Sequence, residues 1–374
     1  MKTSKIVLMF IVGAYVSTVC QSAQANNNPL PPIYVKASAT GNKDGKSWKN
    51  AYTTVASGVE AAIAQGGGEV RIAAGVYAAT SQISISGDNS ITVKGGYPGI
   101  DDNEDDDVRD PELYQSIMTA DSGTQASTYN HLVPTEDGTF YNATNTTIKI
   151  VENGRVNLPE KYHCGLYDTF YPNRANKVTG YAFSANSAAP FELDGVWIVA
   201  RGSGIFANKV CKSLIVRNCN FVGCNEYVYS SGAAHNGSFP RRYENCKILY
   251  SSGYRMKLKG GADFVNCVFR GNMITSDGTT ASAFYLWAGA RTRFVGCEFS
   301  RYYRYVPASA DVSGMERNGN IVGDEQSSGA SFTDCVFSNN LSSSKNSVGI
   351  TMLSAGDIRF NRCCFEKNRT VVNP

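Results

Sequence analysis

The feature that most constrains this chain is a short motif around cysteine that recurs six times in its C-terminal half. Each copy has an apolar or aromatic residue three positions before the cysteine and another two positions after it, as in Phe264-Val-Asn-Cys-Val-Phe269. The cysteines are Cys219, Cys246, Cys267, Cys297, Cys335 and Cys363, and successive members lie 21 to 38 residues apart. Repeats of about twenty residues, some of which are lengthened by insertions, are typical of a solenoid whose loops project from its rim.

The positions around the cysteine predict the path of the backbone. The cysteine and the residue two positions later face the same side of a strand, but the residue three positions earlier does not fit that alternation, so the chain must turn between them. The residue just before the cysteine is Asn218, Asn245, Asn266, Gly296, Asp334 or Arg362. All but Arg362 are residue types that tolerate left-handed backbone angles. We therefore predict a strand, a one-residue corner and a second strand in each coil, with stacked columns of cysteine and phenylalanine inside, and Arg362 as a departure at the last corner.

The same column indicates what the cysteines do. Zinc sites use convergent pairs such as C-x-x-C with a second pair or histidines, and this pattern is missing from the sequence. Thiols are small and weakly polar and are often buried, so we expect a column of buried free thiols, with disulfides as the alternative. Four cysteines off the column can pair in an oxidising compartment, namely Cys164, Cys211, Cys224 and Cys364.

Residues 1–25 have the pattern of a secretory signal peptide. Lys2 and Lys5 precede an apolar run, and Ala23-Gln-Ala25 matches a cleavage site. The apolar run is too short to span a membrane, and no later stretch is long enough. We therefore expect a protein exported by a cleaved signal peptide, either secreted or held at the outer cell surface.

The rest of the chain reads as a short linker, 26–32, followed by one elongated domain, 33–374. Glycine (36), tyrosine (21) and phenylalanine (17) are plentiful and only 18% of residues are charged, which favours an all-β solenoid with many turns. A net charge of +3 gives no indication of nucleic-acid binding. We divide the domain into an N-terminal cap with the first coils (33–121), an irregular insertion (122–190) and the regular coils (191–374). No polar cap is recognisable after the last coil, so an oligomer partner, further sequence or an unrecognised cap is expected to cover it.

The N-terminal part predicts short strands and one helix. Strands are expected at 33–35, 69–73, 83–85 and 91–97, and the segment from Trp48 to Gln65 has apolar residues at helical spacing up to the glycines that follow it. An amphipathic helix at this place would close the apolar end of a solenoid.

These segments resemble a known family. Gly45-Lys-Ser-Trp48, Gly68-Glu-Val-Arg-Ile72, Ala74-Gly-Val-Tyr77 and Lys94-Gly-Gly-Tyr-Pro-Gly99 look like the opening module of secreted bacterial proteins of the pectin-lyase-like superfamily. Gly261-Ala-Asp-Phe-Val-Asn-Cys-Val-Phe269 is similar to the repeats of polymorphic outer-membrane proteins. The resemblance covers about 33–121 and 190–370 and implies a right-handed parallel β-helix. It does not fix an activity, because this fold hosts lyases, hydrolases, esterases and adhesins.

One group of residues is a candidate binding strip. Arg255, Lys257 and Lys259 alternate with apolar residues, so the three cations share one face of a predicted strand. Counting back from the cysteines of successive coils sets Arg255 beside Tyr285 and Lys257 beside Trp287. Cations next to aromatic rings suit an acidic polysaccharide, since rings stack on sugars and cations neutralise uronates. In a lyase, Lys257 or Arg255 would be the base that removes the proton next to the neutralised carboxylate. An ordinary solvated sheet face is the alternative.

Two loops are further candidates. Tyr302, Tyr303 and Tyr305 open the longest insertion and are residue types common in binding sites, so we count them among the glycan-binding candidates. The acidic run 101–107 offers oxygen ligands for Ca²⁺ from Asp101, Asp102, Glu104, Asp105 and Asp107, although its spacing lacks that of a formed calcium loop and such runs are usually solvated. No other cofactor is indicated.

The leading functional hypothesis is an exported, non-catalytic, adhesin-like protein that binds glycans or surfaces. Catalytic signatures known on this fold are mostly missing, and none of the three histidines lies in a triad-like motif. The alternative is a polysaccharide lyase or glycoside hydrolase that acts on an acidic polysaccharide. A purely structural spacer is the third possibility.

Overall fold

The computed structural model describes most of the chain from residue 29 to residue 370. The described ranges are 29–78, 81–101, 108–119, 127–134, 140–148, 151–156, 167–168, 181–185, 188–199, 203–207, 211, 213–224, 226–230, 241–250, 256–259, 261–271, 273–275, 284–287, 292–305, 321–323, 329–342, 350–352 and 357–370. The signal-peptide segment 1–25 lies outside these ranges and stays a prediction.

Over the described residues, the molecule is a right-handed parallel β-helix whose coils stack three long parallel sheets, of ten, nine and eight strands. Sheet 1 has ten strands, in spatial order Ile33–Val35, Gly68–Ala73, Ile91–Tyr97, Phe191–Asp194, Leu214–Arg217, Arg241–Glu244, Asp263–Val265, Thr292–Val295, Ala330–Thr333 and Ile358–Asn361. Sheet 2 has nine, Gly75–Ala78, Ser116–Thr119, Val196–Val199, Asn220–Val222, Lys247–Leu249, Val268–Arg270, Glu298–Ser300, Val336–Ser338 and Cys364–Glu366. Sheet 3 has eight, Ile83–Ile85, Tyr181–Ala185, Ser203–Ala207, Glu226–Ser230, Met256–Lys259, Phe284–Trp287, Ile321–Gly323 and Ile350–Met352.

Smaller sheets complete the description. Sheet 4 is parallel and has the strands Met273–Thr275, Tyr303–Tyr305, Leu341–Ser342 and Arg369–Thr370. The insertion contains a three-stranded antiparallel sheet, Ser127–Pro134, Phe140–Ile148 and Tyr167–Asp168, and a hairpin, Val151–Glu152 and Arg155–Val156. The strand Tyr181–Ala185 belongs to sheet 3, so a coil begins within the segment that the sequence assigned to the insertion.

The one-residue corners between sheets 1 and 2 are as the sequence predicted. The residue before each column cysteine has a φ between 51° and 63° in all six copies: Asn218, Asn245, Asn266, Gly296, Asp334 and Arg362. In the first five copies the corner amide bonds to the next coil, as in Asn266 N–H to Val295 O at 2.8 Å. Arg362 takes the same left-handed conformation, with a φ of 52°, so the last corner does not depart from the repeat.

The predicted columns form the core. Cys219, Cys246, Cys267, Cys297 and Cys335 are at most 1% exposed. Phe264, Phe294, Phe332 and Phe360 make one ring stack, with centroids 4.8–5.1 Å apart. Phe269, Phe299, Phe337 and Phe365 make a second, at 4.7–5.0 Å. Identical side chains therefore contact one another from coil to coil at the strand spacing.

All cysteines in the described ranges are free thiols, which agrees with the expected column. Cys211 and Cys224 are buried, Cys364 is exposed, and Cys164 lies outside the described residues. The hydrogen bond to the neighbouring Cys267 thiol, together with burial, raises the pKa of Cys297 to about 12. Such a group stays protonated and unreactive at neutral pH.

The N-terminal cap is helix α1, Val55–Ala64, whose Thr54 hydroxyl accepts a hydrogen bond from the Ser57 amide at 3.2 Å. The helix starts later than the apolar pattern, because Tyr52 instead forms a β-bridge with Val35. Its apolar side covers the first coil closely. A Cβ on Gly58 would lie 2.3 Å from a Val35 methyl group, so only glycine allows this approach. In the described residues, no helix is long and apolar enough to cross a membrane.

Candidate functional site

The outer side of sheet 1 is covered with charged residues that neutralise one another. Arg217 lies between two acids, with Nη1 2.7 Å from Glu192 and Nε 3.0 Å from Glu244. Arg109 holds the buried Asp194 at 2.7 Å. These cross-strand pairs join successive coils, so their chemistry is structural rather than that of an open site.

The pKa values on this sheet follow from the same pairing. Burial alone would raise the pKa of Glu69, but its hydrogen bonds to Lys94 and Arg71 outweigh burial and lower it. Burial raises the pKa of Tyr97 to about 12, and the nearby Glu69 carboxylate adds to that. The Arg71 guanidinium lies 5.5 Å from the centroid of the Tyr97 ring.

The outer side of sheet 2 is closed by other parts of the chain. Its first coils carry an apolar cluster that packs under the hairpin 151–156: Ile117, Trp197, Val199, Val222, Leu249 and Tyr250. Further along, Arg270 pairs with Glu298 at 2.8 Å, and Lys247 pairs with Glu112 at 2.7 Å. Sheet 1 does set cations beside aromatic rings, as with Arg71 and Tyr97, but these cations have acidic partners: Arg71 and Lys94 both pair with Glu69.

Sheet 3 differs from both. In its first strand Ile83 and Ile85 are buried and Ser84 is exposed, which identifies the outer positions of the sheet by alternation. The positions in register with Ser84 form one row across eight strands: Ser84, Ser184, Phe206, Tyr229, Lys257, Tyr285, Val322 and Thr351. From Phe206 onward the row is defined by backbone position and register.

Lys257 and Tyr285 of the predicted strip lie on this row, and Lys259 and Trp287 lie two residues further along the same strands. Lys257 pairs with Tyr285 and Lys259 pairs with Trp287, so the expected pairing of Lys257 with Trp287 is wrong by two residues. Trp287 lies seven positions before Phe294, but Lys259 lies only five positions before Phe264, and these two phenylalanines are paired in sheet 1. Counting from the cysteines assumed connections of equal length. Arg255 lies outside the described residues. Tyr285, which was expected beside Arg255, pairs with Lys257.

Sequence reasoning named Lys257 and Tyr285 alone from this row, and Tyr229 and Ser184 are two of the members that it missed. Tyr229 is the register neighbour of Lys257 on the side opposite Tyr285, so the lysine has a tyrosine position on either side. Ser184 is 1% exposed, and its hydroxyl has no hydrogen-bond partner in the described part of the chain. A buried hydroxyl without a partner typically costs about 1–3 kcal/mol. Tyr229 lies 17 positions before Cys246 and Ser184 lies 35 positions before Cys219, so counting back by the 10 positions that separate Lys257 from Cys267 reaches neither residue.

The structure separates the tyrosine candidates from the lysine strip. Tyr303 and Tyr305 lie on a strand of sheet 4, next to Met273–Thr275, and not on sheet 3. Tyr302 is 5% exposed, and its amide donates to Asn340 Oδ1 at 3.0 Å. Tyr302 is therefore an interior residue, and we remove it from the surface candidates.

Of the five calcium candidates, Asp101 alone lies within the described residues. Asp101 is exposed, and its Oδ1 accepts a hydrogen bond from Lys36 Nζ at 2.6 Å. Asp102, Glu104, Asp105 and Asp107 lie outside the described residues. Within the described ranges, no group of three or more His, Cys, Asp or Glu side chains is arranged to hold a metal ion. Calcium stays a prediction from sequence.

Comparison with known proteins gives matches among solved structures alone. No family model and no curated protein sequence matches the chain. One similar structure is the pectin methylesterase PemA from Erwinia chrysanthemi, at 14% identity and a TM-score of 0.41, covering 85% of this chain and 80% of that one. A second is a pectin methylesterase mutant in complex with hexasaccharide IV, at 14% identity and a TM-score of 0.39, with the same coverage.

These structures are enzymes, and this corrects the leading hypothesis from sequence. The expectation of a non-catalytic, adhesin-like protein is withdrawn in favour of the enzymatic alternative. At this similarity no residue role and no substrate passes from either structure to this chain. The site hypothesis therefore depends on the register of sheet 3.

Proposed function

We propose that the protein is an exported enzyme that acts on an acidic polysaccharide, bound along the outer side of sheet 3. The observation that supports this proposal is the register of two neighbouring strands, which pairs Lys257 with Tyr285 and Lys259 with Trp287. Two cations on one strand then lie beside two aromatic residues on the next, with backbone positions about 4.8 Å apart across the strands and about 6.6 Å apart along them. This spacing suits a charged sugar ring and its neighbour.

The residue types define the chemistry that the strip can perform. A lysine ammonium neutralises the carboxylate of a uronate, and this makes the adjacent C–H proton more acidic. A second basic group can then remove that proton while the neighbouring glycosidic C–O bond breaks and a C=C bond forms. We assign carboxylate binding to Lys259 and the role of base to Lys257, with Arg255 as the alternative base. Tyr285 and Trp287 would stack on the sugar rings.

The outer faces of sheets 1 and 2 support the choice of sheet 3 by contrast. Arginines there have acidic partners, as in Arg217 with Glu192 and Arg270 with Glu298. In the register of sheet 3 the neighbours of Lys257 are Tyr229 and Tyr285, neither of which is acidic. A cation placed in register between two neutral residues favours an anionic ligand at this position.

The test is a panel of pectin, polygalacturonate, alginate and a neutral glucan incubated with the purified mature chain, with and without Ca²⁺. Three products are followed together: unsaturated uronates by ultraviolet absorbance, new reducing ends, and methanol. We expect product from an acidic polymer and none from the neutral glucan. Lys257→Ala should abolish turnover, and Trp287→Ala should weaken binding roughly tenfold, about 1.4 kcal/mol.

Lys247→Ala is the matched control, because it removes a lysine from sheet 2 that is already paired with Glu112. It should leave turnover and binding unchanged. If the Lys257→Ala variant still turned over an acidic polymer, the active site would have to lie elsewhere on the molecule. No product from any polymer would reject the enzymatic proposal.

A further inference from the structure

Lys257 occupies a position of sheet 3 that has a tyrosine position on either side. Tyr229 is its register neighbour on the preceding strand, and Tyr285 is its register neighbour on the following strand. Each is one strand spacing away, about 4.8 Å between backbone positions. The other hydroxyl-bearing positions of the row lie three or more strands away, at about 14 Å or beyond: Ser84, Ser184 and Thr351. Within this row, a proton donor next to Lys257 is therefore a tyrosine.

The elimination assigned to Lys257 needs such a donor. When the C5–H proton moves to the lysine amine, the electron pair of that bond forms a C=C bond, and the bond between C4 and the glycosidic oxygen breaks. The oxygen takes the electron pair of the broken bond, and without a proton it is an alkoxide, which is a poor leaving group. A general acid at that oxygen typically accelerates such a step by about 10²–10⁴-fold.

The two tyrosine positions differ in what shares their strand. Tyr285 lies two residues before Trp287, and the proposed function assigns both to stacking on sugar rings. Tyr229 lies on the opposite side of Lys257 from this aromatic strand. A uronate ring bound over the aromatic strand, with its C5–H at Lys257, has its next bonds across the sheet at the strand of Tyr229. The leaving oxygen therefore falls nearer to Tyr229 than to the stacking residues.

We propose that Tyr229 is the catalytic acid of this elimination, and that the enzyme cleaves uronates whose C5–H and C4–O bonds lie on the same side of the sugar ring. The proposal rests on the proposed function, because it needs Lys257 as the base. The neutral Lys257 amine takes the C5 proton, and the departing oxygen takes the hydroxyl proton of Tyr229. The Lys257 ammonium then returns a proton to the Tyr229 phenolate. One C–O bond is replaced by a C=C bond and a new reducing end, and no water is consumed.

A lysine next to a tyrosine suits this proton cycle. As the amine accepts the proton it becomes a cation one strand spacing from the tyrosine position, and a nearby cation favours the ionised phenolate. The phenol therefore becomes a stronger acid at the moment when the leaving oxygen needs a proton. A phenol and an alkylammonium hold a proton with nearly equal strength, so the return of the proton costs little.

The same arrangement selects the sugar. Tyr229 and Lys257 occupy register positions in one row on one face of sheet 3, and groups that act from one face act on the same side of a bound ring. Such a pair requires the C5–H and C4–O bonds to be cis. D-Mannuronate and D-glucuronate have this configuration, whereas the two bonds are trans in D-galacturonate and L-guluronate. We therefore expect cleavage of the cis uronates.

The first test incubates the purified mature chain with polymannuronate, polyglucuronate, polyguluronate and polygalacturonate, and follows unsaturated uronates by ultraviolet absorbance. Product is expected from one or both of the first two polymers and from neither of the others. Product from a trans polymer at an equal or higher rate, or new reducing ends without absorbance, would overturn the inference and leave the proposed function intact. No product of any kind from an acidic polymer rejects the proposed function itself.

The second test removes the acidic hydroxyl and keeps the ring. Tyr229→Phe should lower kcat on the cleaved polymer at least about 100-fold, with little change in KM. A uronate glycoside with fluorine in place of the C4 oxygen is the matched substrate, because fluoride leaves without a proton. The variant should release fluoride as fast as the unmodified protein, which also shows that it is folded. Tyr114→Phe, at a half-buried position before the strand Ser116–Thr119 of sheet 2, is the control and should leave both rates unchanged.

Three results would contradict the assignment of Tyr229. Full polymer turnover by Tyr229→Phe would show that no proton comes from this residue. Equal losses on the polymer and on the fluorinated substrate would show that Tyr229 supports binding or structure instead. A loss of polymer turnover confined to Tyr285→Phe would identify the other tyrosine as the donor.

Discussion

A single residue turns each coil from sheet 1 to sheet 2. Asn266 has a φ of 53° and is exposed. Its side chain therefore contributes little to the core, and its contribution to stability depends on its backbone conformation. Left-handed angles cost most residues about 1–2 kcal/mol, less for asparagine and nothing for glycine. This explains why asparagine recurs at the corners although the neighbouring outward positions vary freely.

Replacing Asn266 by valine should therefore destabilise the coil, because a β-branched side chain crowds the backbone at positive φ. We expect the free energy of unfolding to fall by about 1–2 kcal/mol, measured by urea denaturation. Asn266→Gly is the control and should change stability by much less. Equal losses in the two variants would mean that the asparagine side chain, and not the backbone angle, is what matters.

On the scale of a sheet, charges on the outer side link coils that are far apart in sequence. Glu69 accepts hydrogen bonds from Lys94 and Arg71, and this lowers its pKa in the folded protein. A lowered folded pKa means that the ionised carboxylate stabilises the fold. That contribution is complete above the pKa of the unfolded chain and is lost as pH falls through the folded pKa.

Glu69→Gln should accordingly reduce stability at neutral pH, and the difference from the unmodified protein should shrink as the pH falls below about 4. Thermal unfolding across a pH series measures this. Glu60→Gln, at an exposed position of helix α1, is the control for loss of one negative charge and should show little difference at any pH. A Glu69→Gln difference that does not depend on pH would contradict the ionic explanation.

On the scale of the whole molecule, stability is transmitted from coil to coil through the ring stacks. Phe294 is fully buried and stacks on Phe264 at 5.0 Å and on Phe332 at 4.8 Å. Each coil contacts its neighbours alone, so a defect in the middle of the stack separates the coils on its two sides.

Phe294→Ala should cost about 3–5 kcal/mol, typical of a phenylalanine deleted from a core. Hydrogen exchange should then show faster opening of the coils after residue 294 than of those before it. Phe365→Ala is the matched control, since that ring is 56% exposed at the end of its stack, and it should cost far less. Uniform acceleration of exchange throughout the chain would contradict coil-by-coil coupling.

The sequence by itself determined the coil. A cysteine motif with an asparagine corner is local information, because backbone strain and side-chain alternation act over a few residues, and it predicted the stacked coils and the thiol column. The helical spacing of apolar residues before the first coil predicted the capping helix, and the family resemblance implied the parallel β-helix. Tertiary structure decided what depends on the length of connections. It moved Lys257 from Trp287 to Tyr285, buried Tyr302, and brought Tyr229 and Ser184 into the same row. Register across inserted loops is set by hydrogen bonds between coils, and no count along the chain contains them.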